Sequence, residues 1–581
     1  MSFSSRFILF CLGTLCLVAF APSAQAQKVS KKYYEQSDHG FRFKPVDGYD
    51  MVPPQDREKE GGLLAKASGK DFAVQMSGQG GMFNIVSNFE LLRMIEKRQR
   101  VFEEGEEGTS VTFKYKRMGL GTYLERNYQG VKADKPTLDK EVKIKKGFMA
   151  QHRQWAAKAM GDAPMIIDTF SFKLDDAHIH LIHVMSEKHS KKWLKAFYKS
   201  AKTFQLMERT EVVTLNDEMS YEELVDFHDN NERATGGWRA VATPSQRYII
   251  KTDSDDDDFI QKAIARLEKS RDLYERDFPP TEKIEHVSIV RVCSTEEVFH
   301  SYGNTGAGVG GWFSPATTEL VIYDGKNRDR NATYAVMSHE AFHQYCHFLF
   351  QESAAHRWFD EGHGDYYGGA KMGRSKQAPM KITPKMPAGF GRLGIIREMV
   401  QKVTYAPLED HLNYNHRQWQ SQDPSNGVAC YAQSWSIIYM LRQGALGKVP
   451  NKVWKDEYKD IIPNYIRVLN EGFTKAYAKA RAEKRKSLES LEKAKRKKNK
   501  KGKKPKKEGE GSKEGSDGKS AEDNFDDVIN ALLDDVKNGD LRVSQKDQAQ
   551  IWKDAMAASW GPIDMLEFEE NWTTYVKKHL K

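Results

Sequence analysis

The chain has 581 residues, of which 39% are hydrophobic and 11% aromatic, enough length for about three domains and enough apolar material for real cores, which excludes a chain disordered throughout. Its formal net charge of +9 invites a nucleic-acid or membrane reading until the charge is located. Lys475 to Lys519 holds 19 basic and 7 acidic residues, a local +12 against the chain's +9 that leaves −3 for the remainder, so the basic character belongs to one segment and a generally basic binding surface is excluded.

In chain order, residues 1–26 come first: one basic residue, Arg6, the apolar run Phe7 to Phe20, then Ala24-Gln25-Ala26. That layout predicts a secretory signal cleaved before Gln27. The run is too short to span a bilayer comfortably. Neither Cys11 nor Cys16 is preceded by the small residue of a lipoprotein signal, so export as a soluble protein is expected, with a retained anchor as the alternative. Cys293, Cys346 and Cys430 remain after cleavage, too few for a disulfide framework, and export with so few cysteines points to a bacterial periplasm or cell surface.

Residues 28–210 alternate strand-like and helix-like stretches and predict a small N-terminal α/β module without a catalytic motif. Gly40 to Pro45 reads as a short strand ended by proline. Asp176 to Val184 reads as a strand with Ala177, Ile179 and Leu181 on one face and Asp176, His178 and His180 on the other, followed by a helix over Ser190 to Thr203. The polar face is expected to meet water; a metal held by Asp176, His178 and His180 is the sharper alternative, for which no distant partner can be named. Farther on, the acidic run Asp253 to Asp258 precedes a helix over Phe259 to Phe278. Acidic residues there complement the helix N-terminus, and the run lacks the glycine and distal glutamate of an EF-hand calcium loop.

Gly303 to Gly311 reads as a Gly-rich loop and Glu319 to Tyr323 as a strand. Then comes the sharpest signal in the chain, His339-Glu340-Ala341-Phe342-His343, inside a helix predicted over Asn331 to Phe350 with Asn331 as N-cap. Residues four apart share a helix face, so both imidazoles can close on one metal ion with Glu340 beside them. A catalytic zinc takes a third protein ligand and an open fourth position. Glu361, in Trp358-Phe359-Asp360-Glu361-Gly362, can supply that ligand from a second helix. His347 and His363 read as helix histidines satisfied by ordinary hydrogen bonds, the latter about 160° round its helix from Glu361, and Cys346 as a small buried hydrophobe.

On these residues the chain resembles the gluzincin metallopeptidases, the thermolysin and aminopeptidase N group, in which HExxH is followed by a zinc-binding Glu on the next helix. The resemblance covers only the middle of the chain. It implies His339, His343 and Glu361 as zinc ligands, Glu340 as general base, and Asp365 as a carboxylate holding a ligand imidazole; a solvated helix charge is the plainer account of Asp365. The metzincin alternative fails, because the places of its third His and its Gly hold Leu349 and Cys346. Tyr431 sits where aminopeptidase N-like enzymes place a catalytic tyrosine. It is the candidate for steadying an oxyanion, against a core tyrosine at the head of the helix it begins; His411 and His416 are weaker candidates. An edge strand before the zinc helix, drawn from Gly303 to Tyr323, would pair with substrate backbone. That segment lacks the Gly-x-Met-x-Asn string by which aminopeptidase N grips a free N-terminus.

Residues 475–523 read as a Lys-rich low-complexity insertion or linker whose first half continues a helix. The segment is expected to be solvated, with contact to an anionic surface as the alternative; with no aromatic beyond Tyr477 it is not expected to bind single-stranded nucleic acid. Residues 524–581, with Phe525, Ile529, Leu532, Leu533, Trp552, Trp560, Trp572 and Tyr575, read as helices returning to pack on the catalytic domain. The expectation is an α+β multidomain protein. In it a small α/β module precedes a mostly helical, zincin-type catalytic domain over 211–474 with an edge-strand sheet. The expected function is a secreted zinc metallopeptidase acting on peptides or proteins as an endopeptidase, with an aminopeptidase or a non-catalytic surface protein as rivals.

Overall fold

A computed structural model describes residues 28–47, 49–55, 58–59, 61–69, 88–95, 98–104, 111–117, 119–144, 148–159, 162–175, 177–209, 219–303, 305, 308–326, 329–373, 380–382, 391–421, 428–501 and 541–580. The expected signal segment, Asp176, the part of the Lys-rich run beyond Lys501, and Phe525, Ile529, Leu532 and Leu533 lie outside the described residues. The protein is a mixed α and β molecule with several sheets. It divides into two compact units, Met1–Val212 with Ala234–Gly236, and Val213–Arg233 with Gly237–Lys581.

The first unit runs β1 (Tyr34–Gln36), β2 (Phe41–Phe43), β3 (Tyr49–Val52), β4 (Leu63–Gly69), β5 (Asn88–Met94), β6 (Arg98–Glu104), β7 (Val111–Arg117), α1 (Leu120–Asn127), β8 (Leu138–Lys143), β9 (Met149–Lys158), β10 (Pro164–Lys173), β11 (His178–Ser186), α2 (Ser190–Ala201) and β12 (Gln205–Leu206). Seven strands form one antiparallel sheet in the order β3-β4-β5-β11-β10-β9-β8. Trp193, Ala196 and Phe197 of α2 cover one face, packing with Phe170, Ile179 and Leu181. Leu120 and Leu124 of α1 cover the other, packing with Trp155, Ile182 and Val184. A central strand under two helices has no water-facing side. Ile179 to Met185 are accordingly all buried, which corrects the expectation that His178 and His180 share a solvated face. His180 gives or takes a 2.7 Å hydrogen bond with Ser171 Oγ, and burial pushes its imidazole down to about 3.

The second unit runs α3 (Tyr221–Arg233), β13 (Arg239–Ala242), β14 (Tyr248–Thr252), α4 (Asp257–Asp277), β15 (Ser288–Cys293), α5 (Glu296–Gly303), β16 (Gly311–Ser314), β17 (Glu319–Tyr323), α6 (Arg330–Leu349), α7 (Arg357–Gly368), α8 (Arg392–Lys402), α9 (Leu408–Asn413), α10 (His416–Ser421), α11 (Val428–Ala445), α12 (Ile461–Lys501), α13 (Gln545–Ser559) and α14 (Met565–Lys578). Its sheet has the order β13-β14-β15-β17-β16, with β14, β15 and β17 parallel and both edges antiparallel. The edge on the α6 side is therefore Gly311–Ser314, which starts at the last glycine of the expected Gly-rich loop, whereas Glu319–Tyr323 lies inside the sheet. Gly311 permits this closeness, because a Cβ there would stand 2.5 Å from Val336 of α6.

Helix α6 is capped by Asp329, whose side chain accepts from the Asn331 amide at 2.8 Å, two positions before the expected cap. The acidic run before α4 is consumed by capping and pairing. Asp256 accepts from the Phe259 amide at 3.0 Å and from Arg330 at 2.6 Å, while Asp253 accepts from Ser294. Helix α12 passes through the expected boundary at 474 and packs along α13, with Gly472 against Ile551. Trp560, Trp572 and Tyr575 join the same core as Phe342, Phe359 and Trp435. Cys293, Cys346 and Cys430 are buried and free. Among the described residues no helix is long and apolar enough to cross a membrane.

Candidate metal centre

Helices α6 and α7 place His339, His343 and Glu361 together, the three-residue group among the described residues whose ligand atoms lie within 4.8 Å of one another and could hold a metal ion. The approach depends on glycine. A Cβ on Gly364 would stand 2.8–2.9 Å from the His339 ring, and one on Gly362 would stand 2.9 Å from the Ser434 carbonyl of α11. Bare backbone on both sides of α7 thus lets Glu361 reach the imidazoles.

Nε2 of His339 and Nε2 of His343 lie 3.2 and 3.3 Å from the same atom, Glu361 Oε2. A charged hydrogen bond would draw such a pair to about 2.7–2.9 Å. Ligands bonded at about 2.0–2.1 Å around a tetrahedral zinc stand about 3.3–3.4 Å apart, so these separations match the edges of a zinc tetrahedron. The chemistry of the donor set fits as well. Glu340, Asp360, Glu361 and Asp365 contribute four negative charges and Arg357 and Arg392 two positive ones, which leaves −2 with neutral imidazoles, the charge a divalent cation balances.

Each inner group is held from behind. Asp365, fully buried, approaches His339 Nδ1 at 3.1 Å and accepts from Arg392 Nε at 2.6 Å. Asp360 Oδ1 lies 2.9 Å from His343 Nδ1, close in charge but off the hydrogen-bonding axis, since neither atom has a hydrogen-bond partner of good geometry. Arg357 Nη1 donates to the other oxygen of Glu361 at 3.0 Å. Glu340 accepts from the Phe313 amide of the edge strand β16 at 2.9 Å.

The electrostatics reflect this enclosure. Burial alone would push the His339 imidazole down, but hydrogen bonds to Asp365 and Glu361 carry it up to about 9. Burial likewise opposes charge on His343, and Asp360 and Glu361 overcome it and hold it well above its usual range. Burial would raise Glu361, yet the two imidazoles hold its carboxyl well below the usual range. Glu340 is raised, burial outweighing the nearby histidines.

Tyr431, in the first turn of α11, comes to this group: its ring centroid is 6.3 Å from that of His339, and the Arg392 guanidinium lies 5.0 Å over it. The charge of Glu361, then burial, raises its hydroxyl and keeps it protonated. The lesser candidates are elsewhere. His411 is buried against Ser434 Oγ at 2.7 Å and pushed down to about 3. His416 meets the Arg357 guanidinium. His363 points away among Phe278, Phe342 and Phe359, its Nδ1 donating to the Phe359 carbonyl at 2.8 Å. His347 packs 5.3 Å from the Phe313 ring, and burial pushes it down to about 4.

Sequence reasoning missed Asp360, Arg357 and Arg392. Arg357 stands four residues before Glu361, a helical spacing readable in advance. Asp360 neighbours the ligand in sequence. Arg392 carries no local signal, because only the packing of α8 brings it to Asp365.

No protein-family model and no curated protein matches the sequence. Among solved structures the chain is similar to the solution structure of cyanobacterial PsbP (CyanoP) from Synechocystis sp. PCC 6803, at 11% identity and a TM-score of 0.19, over 30% of this chain and 91% of that one. A TM-score that low ties neither fold nor function to that protein.

Proposed function

We propose that this protein is a secreted zinc-dependent metallopeptidase of gluzincin type, with a zincin-type catalytic domain in its second unit and a peptide or protein as substrate. The observation that carries the reading is the pair of 3.2 and 3.3 Å separations from two imidazole nitrogens to one Glu361 oxygen, beside Glu340. His339, His343 and Glu361 would hold the ion. Bound there, zinc supplies a Lewis acid that polarises a carbonyl and lowers the pKa of a water toward neutrality.

The chain's own residues account for the remaining work. Glu340 takes the proton of the attacking water and passes it to the leaving amine, and its raised pKa suits a base that must also act as an acid. The Phe313 amide fixes the orientation of that carboxylate. Tyr431, protonated and beside the triad, donates to the oxyanion as it develops. Asp365 holds the His339 imidazole with Nε2 directed inward, and Asp360 sets a negative charge beside Nδ1 of His343. The outer backbone of the edge strand β16 is suited to pairing with an extended substrate, strand against strand, which favours cleavage within a chain over removal of its first residue.

Metal analysis of the purified chain beside Glu361→Ala and Glu340→Gln tests this directly. The expected outcome is about one zinc per chain in the wild type, sharp loss in Glu361→Ala, and zinc retained but peptide hydrolysis abolished in Glu340→Gln. Full turnover by Glu340→Gln would sink the mechanism, and a wild type without zinc after supplementation would sink the site. Cleavage of a peptide with a blocked N-terminus separates endopeptidase from aminopeptidase action.

A further inference from the structure

Four helices meet at one guanidinium. Arg392, at the first position of α8, donates from Nε to Asp365 Oδ2 at 2.6 Å and from Nη2 toward Asp365 Oδ1 at 3.5 Å. Asp365 on α7 turns the same Oδ1 toward His339 Nδ1 on α6. The central carbon of the guanidinium lies 5.0 Å over the ring of Tyr431 on α11. We propose that Arg392 is a positioning residue that fixes the His339 imidazole and the Tyr431 phenol relative to each other, so that metal holding and oxyanion stabilisation depend on one side chain. This inference rests on the metal reading of the triad.

The chemistry of arginine is what the position demands. Asp365 is fully buried, and a buried carboxylate is held in one orientation only when its oxygens are paired. A planar fork can satisfy one carboxylate along its edge while its face rests on an aromatic ring, two directions that a lysine ammonium cannot serve at once. Arg357 makes the contrast. It also pairs with a carboxylate and lies 5.8 Å over an aromatic ring, but its carboxylate is the ligand Glu361 itself and its ring is Trp419. Arg357 therefore acts on the ligand directly, whereas Arg392 acts through Asp365 and Tyr431.

The test uses the full chain, with zinc affinity read by competition against a chromophoric chelator and kcat and KM read on a blocked peptide. Arg392→Met is expected to weaken zinc binding about 10–100-fold, the usual effect of removing an outer-shell partner, and to lower kcat with KM little changed. Arg392→Lys keeps the charge and is expected to recover most of the zinc affinity but not kcat. In a Tyr431→Phe background the kcat effect of Arg392→Lys should disappear, a coupling that a merely structural role would not produce. If Arg392→Met does not fold, Arg392→Lys and the double variant decide the matter. Wild-type zinc affinity and kcat in Arg392→Lys, or strictly independent effects of the two substitutions on kcat, would overturn the inference. A wild type that binds zinc but cleaves nothing fails the peptidase reading alone, since the affinity comparison still decides whether Arg392 positions His339. A wild type that binds no zinc overturns both.

Discussion

At the scale of single residues, His339, His343 and Glu361 form a largely buried charged group that could hold a metal ion. In the metal-free protein the His339 imidazole is raised from 6.5 to about 9, so its ion pairs stabilise the fold fully below pH 6.5, and that stability is lost as pH rises through about 9. Glu361, lowered from 4.5, acts at the other end, its contribution being present above pH 4.5 and lost as pH falls. Above pH 6.5, where the buried neutral histidines such as His180 and His411 no longer titrate in either state, metal-free protein is therefore expected to weaken steadily toward pH 9, which thermal melts across that range in chelator would show. The same upward shifts favour protonation of the two imidazoles while no metal is bound, and ligation requires them neutral. Zinc binding at pH 7 should accordingly release protons, because metal ligands must be deprotonated; calorimetry in buffers of different ionisation enthalpy counts them. Release near zero would mean that the imidazoles are already neutral and the charge account is wrong.

Elements decide whether those residues can meet. The close pass of α7 between α6 and α11 exists because positions 362 and 364 carry no Cβ. Gly364→Ala would press a methyl group onto the His339 ring, at a cost of about 1–3 kcal/mol from overpacking. Denaturant melts should show that loss together with weakened zinc binding, since the contact falls on a ligand. Alanine accepted at wild-type stability and affinity would mean that α7 is free to shift. The two motif helices were legible from period and spacing. The edge strand was not, because Gly311–Ser314 is only four residues long and opens on a glycine of the expected loop, so that the strand preference of Trp312 and Phe313 takes effect only by pairing with β17. The N-cap moved from Asn331 to Asp329 for a similar reason: both residue types cap well, and local sequence does not choose between neighbours. In the first unit the alternation around His178 and His180 suggested a wet face, whereas burial of β11 under both α1 and α2 is a property of the sheet's neighbours.

For the whole molecule, the candidate metal site lies within one of two compact units. A ligand present at about 100 times its Kd stabilises the folded form by about 2.7 kcal/mol. Zinc is thus expected to raise the melting temperature of the second unit, seen in calorimetry as an upward shift of the transition that unfolds it. The C-terminal helices share the core of that unit. Trp572 is fully buried and its Nε1 donates to Ser436 Oγ at 3.0 Å. Trp572→Ala should cost about 3–5 kcal/mol and be felt in the zinc-sensitive transition, although it lies more than two hundred residues from His339 in sequence.

What the sequence determined by itself is what depends on short separations along the chain: two histidines one helical turn apart, a glutamate on the next helix, the local basic run, and the apolar spacing of the helices that carry them. Tertiary structure alone decided which strand lies at the sheet edge, that His180 is buried, that Arg392 reaches Asp365 and that Tyr431 stands beside His339. Those facts depend on contacts between segments far apart in the chain, where backbone pairing, excluded water and the room left by a missing Cβ outweigh any preference a residue carries on its own.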